Sequence, residues 1–214
     1  MNMKDDIKLV CFDLDKTLIR GNSWYDLNMA LGITDEEDTC MLAWYEQGII
    51  TYRQWVELAI AIAKKRSTVT RQLIQDTFHK PTYSPYAREV VRYVQDQGYA
   101  VVLISGSIDI LVDKIARELD ILHAAANNVF VFDDNDQLAE VVTYGQDDLA
   151  KLHHLRGFCE TLGIDIAQCV CIGDGDNDRE LFLKTGKGIT FSDSKIRDIA
   201  WKTISNLSEI TSLL

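Results

Sequence analysis

The sequence predicts an α/β fold: a doubly wound, Rossmann-like parallel sheet core with an inserted small helical cap domain. Three observations lead there. Short continuous apolar runs, such as "YAVVLI" (99–104) and "CVCI" (169–172), read as strands buried on both faces. After Pro85, helical patterns alternate with those runs. From about residue 22 to residue 80 the texture is helical, and no convincing strand interrupts it. The only two prolines, Pro81 and Pro85, mark the change. The expected division is a core of residues 1–20 and 82–214 around a helical cap of residues 21–81.

The first strand gathers Ile7, Leu9, Val10 and Phe12 and runs into Asp13-Leu14-Asp15-Lys16-Thr17. About four helices follow. "DEEDTCMLAWYEQG" opens on acidic residues and closes on Gly48, as the helix dipole favours. "TYRQWVELAIAIAKKR" starts from an N-cap at Thr51 and ends in basic residues, and "TVTRQLIQDTFHK" comes next. Beyond the prolines, a helix over 86–97 stops at Gly98 and leads into strand 99–104. A helix is expected over 107–119, with Ser107 as its cap. "VFVF" and "LAEVVTY" flank the turn "DDNDQ" as a hairpin. A helix over 147–162 stops at Gly163; strand "CVCIG", helix "DNDRELFLK" and strand "GITF" follow. One more helix, then a terminal strand and helix, complete the expectation.

The 214 residues, 47% hydrophobic, suffice for one core plus an inserted subdomain. With 22 basic against 33 acidic side chains the net charge is −11, which disfavours nucleic acid and anionic membrane as partners. No apolar run approaches the ~20 residues of a membrane helix, and Met1 to Lys8 is polar, so the chain reads as cytoplasmic. Five cysteines without zinc-ligand spacing read as reduced, buried thiols.

In such a sheet a ligand binds beyond the carboxyl ends of the strands. Three polar strand ends meet there: "DLDKT", "SGS" (105–107) and "GDGDND" (173–178). Residues two apart on a strand face the same way, so Asp13 and Asp15 both enter the crevice. Their repulsion calls for a hard divalent cation such as Mg²⁺, or for one carboxyl kept protonated as a general acid. Asp174 and Asp178, four apart at a helix start, are placed to join the same metal site. "GDGDND" is not a calcium loop, because its twelfth position is Thr185 rather than Glu. Ser105, Gly106 and Ser107 at a helix N-terminus offer a phosphate cradle, and Lys151 offers a point charge.

The ordered set DxDxT, strand then S-G-S, Lys151, and GDxxxD resembles the haloacid dehalogenase superfamily of phosphohydrolases. The helical insertion after the first motif, and the 23 residues from Lys151 to Asp174, resemble its phosphoserine phosphatase-like subgroup. The resemblance implies Asp13 as nucleophile forming an aspartyl-phosphate. It implies Asp15 as acid and then base, its backbone carbonyl also facing the metal. Thr17, Ser105 and Lys151 would hold phosphoryl oxygens, and Asn177 would face substrate or phosphate. Asp174 would bind Mg²⁺ with Asp13, and Asp178 would support that shell. Asp15 also separates this chain from the dehalogenases, which lack the second acid. The implied activity is phosphomonoester hydrolysis on a small phosphorylated metabolite, by a monomer or homodimer. Phosphotransfer, or a phosphometabolite-binding module on the same scaffold, are the alternatives.

Phosphoserine is the runner-up substrate. The subgroup carries a glutamate soon after the first motif for the substrate's amino group, where this chain has Asn22. It carries a cap arginine for the carboxylate, where this chain has Ala59; Arg53, Lys64 or Arg66 are the possible substitutes. The cap is rich in aromatics, chiefly expected to form its own core, with Trp24 and Tyr25 nearest the catalytic loop. Arg20 and the pair His153-His154 read as surface or packing residues.

Overall fold

The computed structural model describes residues 6–214; Met1–Asp5, the start of the polar N-terminal stretch and of the expected core, lie outside the described residues. A seven-stranded sheet has the order β4-β3-β2-β1-β5-β6-β7. Strand β1 (Leu9–Phe12) sits at its centre, fully buried, in parallel register with β2 (Ala100–Ile108) and β5 (Cys169–Ile172). Outward on one side lies β3 (His123–Phe132), parallel to β2, then β4 (Leu138–Thr143), antiparallel to β3. On the other side β6 (Gly188–Phe191) and β7 (Lys202–Ile204) continue in parallel. The expected hairpin is therefore β3–β4, with β3 also a full member of the main sheet.

Between β1 and the prolines lie α1 (Ser23–Ala30), α2 (Asp35–Glu46), α3 (Tyr52–Arg66) and α4 (Arg71–Thr77). Their starts follow local chemistry. Thr34 and Thr51 form reciprocal capping boxes with Glu37 and Gln54, and Thr70 caps α4. Helix α1 packs on α4 and α2, and α3 meets α2 and β4. Trp24, Met41, Trp55, Val56, Ala59 and Ile74 bury this segment's apolar side, continuous with the main core. The basic residues expected to end α3 are there, with Arg66 paired to Glu37 at 2.6 Å.

After the prolines, α5 (Ala87–Asp96) stops before Gly98 at φ +86°. Helix α7 (Asp147–Leu162) has its expected bounds and closes on Gly163 in the left-handed region. Helix α8 (Arg179–Thr185) follows a single 3₁₀ turn at Asp176–Asp178. Two expectations need correcting. Strand β2 does not end at residue 104: it runs through Ser105-Gly106-Ser107, and α6 (Asp109–Glu118) starts after it. Pairing with β3 carries β2 onward, with a register shift between Ser105 and Ile108, so Ser107 is not a helix cap. The second correction lies after β6. Residues 192–200 form turns rather than a helix, before β7 and the short α9 (Ile210–Leu213).

Four cysteines (Cys11, Cys159, Cys169, Cys171) are buried thiols on one face of the sheet, whereas Cys40, expected to be buried as well, is exposed. His153 is exposed, and His154 packs edge-on against Tyr144.

Candidate active site

The tips of β1, β2 and β5, with the start of α7, meet at one cavity of about 1080 Å³, whose wall also includes residues of α1, α2 and α3. Strand β1 delivers Asp13, only 3% exposed, where its backbone N–H still donates to Ile172. The chain then turns tightly: the carbonyl of Leu14 accepts N–H bonds from Thr17, Leu18 and Ile19. Lys16 takes a positive φ of 55° in that turn, an uncommon position for a non-glycine residue. Thr17 is fully buried, and its hydroxyl has no hydrogen-bond partner among the described residues.

Lys151, projected from α7 and fully buried, ties the centre together. Its Nζ donates to Asp13 Oδ1 at 2.6 Å and to Asp178 Oδ1 at 2.7 Å. Asp13 and Asp178 hold it charged, raising its pKa against the effect of burial. Asp13, Asp174 and Asp178 each offer a carboxylate oxygen, and these oxygens lie within 4.8 Å of one another. The other oxygen of Asp13 is buried without a partner. Burial and neighbouring carboxylates push Asp174 up to about 7; Asp178 also rises to about 7, from burial and despite Lys151. Such oxygen-rich, under-compensated carboxylates fit a hard divalent cation. Gly173 is required beside them, because a Cβ there would collide with the Asp178 carboxylate.

Asp15 stands apart from that trio. Its carboxylate accepts from the backbone N–H of Ser23 at 3.1 Å and from the Ser23 hydroxyl at 2.7 Å. Ser23 Oγ in turn lies 2.6 Å from Ser107 Oγ. Desolvation lifts the Asp15 pKa to about 7, opposed by the Ser23 bonds and reinforced by Asp13. An acid poised there at neutral pH suits proton transfer to a leaving group.

Ser105 Oγ accepts the N–H of Ser107 at 3.1 Å. Since the segment is strand rather than helix start, it offers no helix-end cradle, correcting the expectation. The Gly106 carbonyl instead faces α1, α3 and β3. Three donors converge on it: Trp24 Nε1 at 3.1 Å, Tyr52 OH at 2.8 Å and Asn128 Nδ2 at 2.9 Å. A Cβ at Gly106 would collide with the Asp147 carboxylate. Asp147, buried at the start of α7, is held by Asn177 at 2.8 Å and Asn127 at 3.0 Å, and burial raises its pKa.

The structure thus brings Asp13, Asp15, Ser105, Gly106, Asp174 and Asn177 to one cavity wall, with Lys151 and Asp178 directly behind. Sequence reasoning missed Ser23, Tyr52, Asn127, Asn128 and Asp147. Ser23 had a local signal, lying just after the turn at the head of the helical segment. The others come from distant parts of the chain with no motif.

The substrate-recognition candidates fall elsewhere. Asn22 caps α1, accepting from the N–H groups of Trp24 and Tyr25, although it also lines the cavity. Ala59 is fully buried in the helical core. Arg53 donates to the Thr143 carbonyl, Lys64 to that of Ala139, and Arg66 binds Gly32 and Glu37. None of these three lines the cavity. Arg20 is exposed and also stands outside it.

A parallel α/β sheet whose central strand tips gather aspartates around a buried lysine defines a phosphomonoester-hydrolase type of site. Residues 10–183 match the family model described as haloacid dehalogenase-like hydrolase, and the chain belongs to that family. It is similar to the phosphoserine phosphatase of Methanocaldococcus jannaschii, 27% identical over 192 residues, covering 88% of this chain and 87% of that protein. The phosphoserine phosphatase of Archaeoglobus fulgidus is 25% identical over 97% of this chain, which spans 60% of that longer relative. A solved structure described as a phospho-aspartyl intermediate analogue of phosphoserine phosphatase superposes with a TM-score of 0.82. Its identity is 25%, over 97% of this chain and 99% of that one. The chain is a phosphomonoester phosphatase of this family with a phosphoserine phosphatase-like fold. No helix among the described residues is long and apolar enough to cross a membrane.

Proposed function

We propose that this phosphatase is Mg²⁺-dependent, works through an aspartyl-phosphate at Asp13, and acts on a small phosphorylated metabolite in the cytoplasm as a monomer or homodimer. The observation that carries the reading is the Lys151 Nζ bridge between Asp13 and Asp178 beside an unpartnered Asp13 oxygen. That free oxygen is the attacking atom. It forms a bond to phosphorus as the ester P–O bond breaks, and Asp15 passes its proton to the departing alkoxide. Asp15 then takes a proton from water, whose oxygen attacks phosphorus and frees Asp13 and inorganic phosphate. Lys151, Ser105 and the Thr17 hydroxyl hold phosphoryl oxygens, with Gly106 shaping the wall and Asn177 oriented by Asp147 to face substrate. Asp13, Asp174, Asp178 and the Asp15 carbonyl would hold Mg²⁺, which when bound neutralises charge on the phosphoryl group. Residues 21–81 serve as the cap, and the remaining chain as the catalytic core.

The experiment is turnover of an aryl phosphate with Mg²⁺ by wild type and Asp13→Asn. Wild-type turnover, with activity in the folded variant reduced to background, supports the nucleophile. Near-wild-type activity of that variant, or no uptake of beryllofluoride by the native protein, refutes it. The names of the relatives favour phosphoserine as a second reading. Against it stands the engagement of Arg53, Lys64 and Arg66 away from the cavity, which leaves the cap without a partner for the amino-acid carboxylate.

A further inference from the structure

The cavity has a second character beyond its catalytic aspartates. Four rings line it as one contiguous group. Trp55 meets Trp24 edge-on at 5.0 Å and stacks on Tyr52 at 5.9 Å, and Tyr45 meets Tyr52 edge-on at 5.8 Å. Trp24 and Tyr52 are fixed by their shared acceptor, the Gly106 carbonyl. The rings are therefore more than the private core of the helical segment: they form a wall of the reaction cavity, rigidly placed.

Carboxylates accompany them. Asp38 and Asp147 both line the cavity and are 7% and 8% exposed. Among the described residues neither forms an ion pair; Asp38 accepts from Asn28, and Asp147 from two asparagine amides. Asp147 feels the charge of the buried Lys151, but that ammonium is already bound by Asp13 and Asp178; burying carboxylates that are short of positive charge is costly and favours a positively charged ligand. Among the described residues, the basic ones on the cavity wall are Lys16 and Lys195, both exposed and both in the loops that follow β1 and β6. On the phosphatase reading the phosphoryl group would meet the unpartnered oxygen of Asp13. Beside these lysines the wall carries aromatic rings and carboxylates, the two features that together recognise alkylammonium groups.

We propose, on the basis of the phosphatase reading of this same site, that the leaving alcohol carries an alkylammonium group and no anionic group. The substrate is then a phosphomonoester of an amino alcohol or quaternary-ammonium alcohol, its cation held among Trp24, Tyr45, Tyr52 and Trp55 and by Asp38 and Asp147. An amino-acid phosphate would satisfy the carboxylates with its ammonium but would bring a second anion to a cavity whose basic wall residues, Lys16 and Lys195, lie in the loops after β1 and β6 rather than on the helices that carry the rings.

The test compares kcat/KM for choline phosphate, ethanolamine phosphate, glycerol 3-phosphate, O-phospho-L-serine and an aryl phosphate, with Mg²⁺ present. At least one cationic ester is expected to exceed both glycerol 3-phosphate and phosphoserine by tenfold or more. In Asp38→Asn that preference over glycerol 3-phosphate is expected to shrink at least tenfold. Tetramethylammonium should inhibit wild-type aryl phosphate turnover competitively, and the uncharged alcohol 2,2-dimethylpropanol, of similar shape, should not, a result independent of how the variant folds. Aryl phosphate turnover with no cationic preference and no tetramethylammonium inhibition overturns this inference alone. Absence of aryl phosphate turnover, with no phosphoenzyme analogue formed, overturns the phosphatase reading along with it.

Discussion

Replacing Lys151 by Met tests the centre of the site, because one ammonium there serves two carboxylates. Lys151 is fully buried and lies 2.6 Å from Asp13 and 2.7 Å from Asp178. Methionine keeps much of the volume and removes the charge. Three carboxylates, those of Asp13, Asp174 and Asp178, then share one neighbourhood with the exposed Lys16 as the remaining cation acting on Asp174. Removing one partner of a buried ion pair costs about 3–5 kcal/mol. For a chain of this size each kcal/mol moves Tm by about 2–4 °C, so Lys151→Met in EDTA at pH 8 should melt about 6–20 °C below wild type. Lower pH should narrow the gap, since protonation relieves the repulsion that lysine no longer offsets. Turnover of an aryl phosphate should fall by about 10²-fold or more, the scale of losing one fixed donor to a transition-state oxygen. Thermal melts in EDTA and in Mg²⁺, with steady-state kinetics on the folded variant, read both effects. A variant with unchanged Tm in EDTA at pH 8 and activity within threefold of wild type would refute the reasoning.

Three further outcomes are expected from the same geometry. Ser23→Ala keeps the backbone bond to Asp15 and loses the hydroxyl bond at 2.7 Å. It should slow an alkyl phosphate, which needs a proton at its leaving oxygen, about tenfold more than an aryl phosphate, because a hydrogen bond to a charged group contributes about 1.5–3 kcal/mol. Since Ser23 holds the Asp15 pKa down, the alkaline limb of the alkyl phosphate pH profile should move to higher pH; equal slowing of both substrates would remove Ser23 from this role. Mg²⁺ should raise Tm more at pH 8 than at pH 6. Asp174 and Asp178 have folded pKa values raised to about 7, so their protonated forms favour the fold at low pH, that contribution fades as pH rises through 7, and protons there compete with the cation. At a hundredfold excess over Kd the gain is about 2.7 kcal/mol, and an equal shift at both pH values would contradict the sign. Gly106→Ala should lose activity and lower Tm, because its Cβ would meet the buried Asp147 carboxylate; Asp147→Asn should not rescue it, as the amide occupies the same space.

The gathering of the aspartates was legible because it is encoded locally. Asp13 and Asp15 are two apart just past β1, and Asp174 and Asp178 are four apart just past β5, so the sequence put them at neighbouring strand tips. Lys151 needed its helix bounds as well, and those were marked by Gly163 at one end. The end of β2 was misjudged for a physical reason. Ser-Gly-Ser reads as turn chemistry, but pairing with β3 carries the strand onward to Ile108, and strand pairing between distant segments leaves no local trace. The helix expected after β6 failed differently: "SDSKIRDIA" holds only turns, and its buried residues Ser194 and Ile196 anchor it to the core without helical spacing. Asn22, expected as a departure from the subgroup, has a structural role as well, since its side chain closes the first turn of α1. The contacts of Asp147, Asn127 and Asn128 join segments far apart in sequence, and no periodicity announces them.

Selection and chemistry meet at the Gly106 carbonyl. Trp24 on α1 and Tyr52 on α3 both donate to it, and each such neutral bond contributes about 0.5–1.5 kcal/mol net. Two of them add about 1–3 kcal/mol to the burial of the helices' apolar side, which is continuous with the main core. Ser23 stands next to Trp24 on the same helix and holds Asp15. Any movement that carries α1 away from β2 breaks the Trp24 bond and withdraws the Ser23 hydroxyl together. Helix α1 thus places both one ring of the aromatic wall and the hydroxyl that binds Asp15.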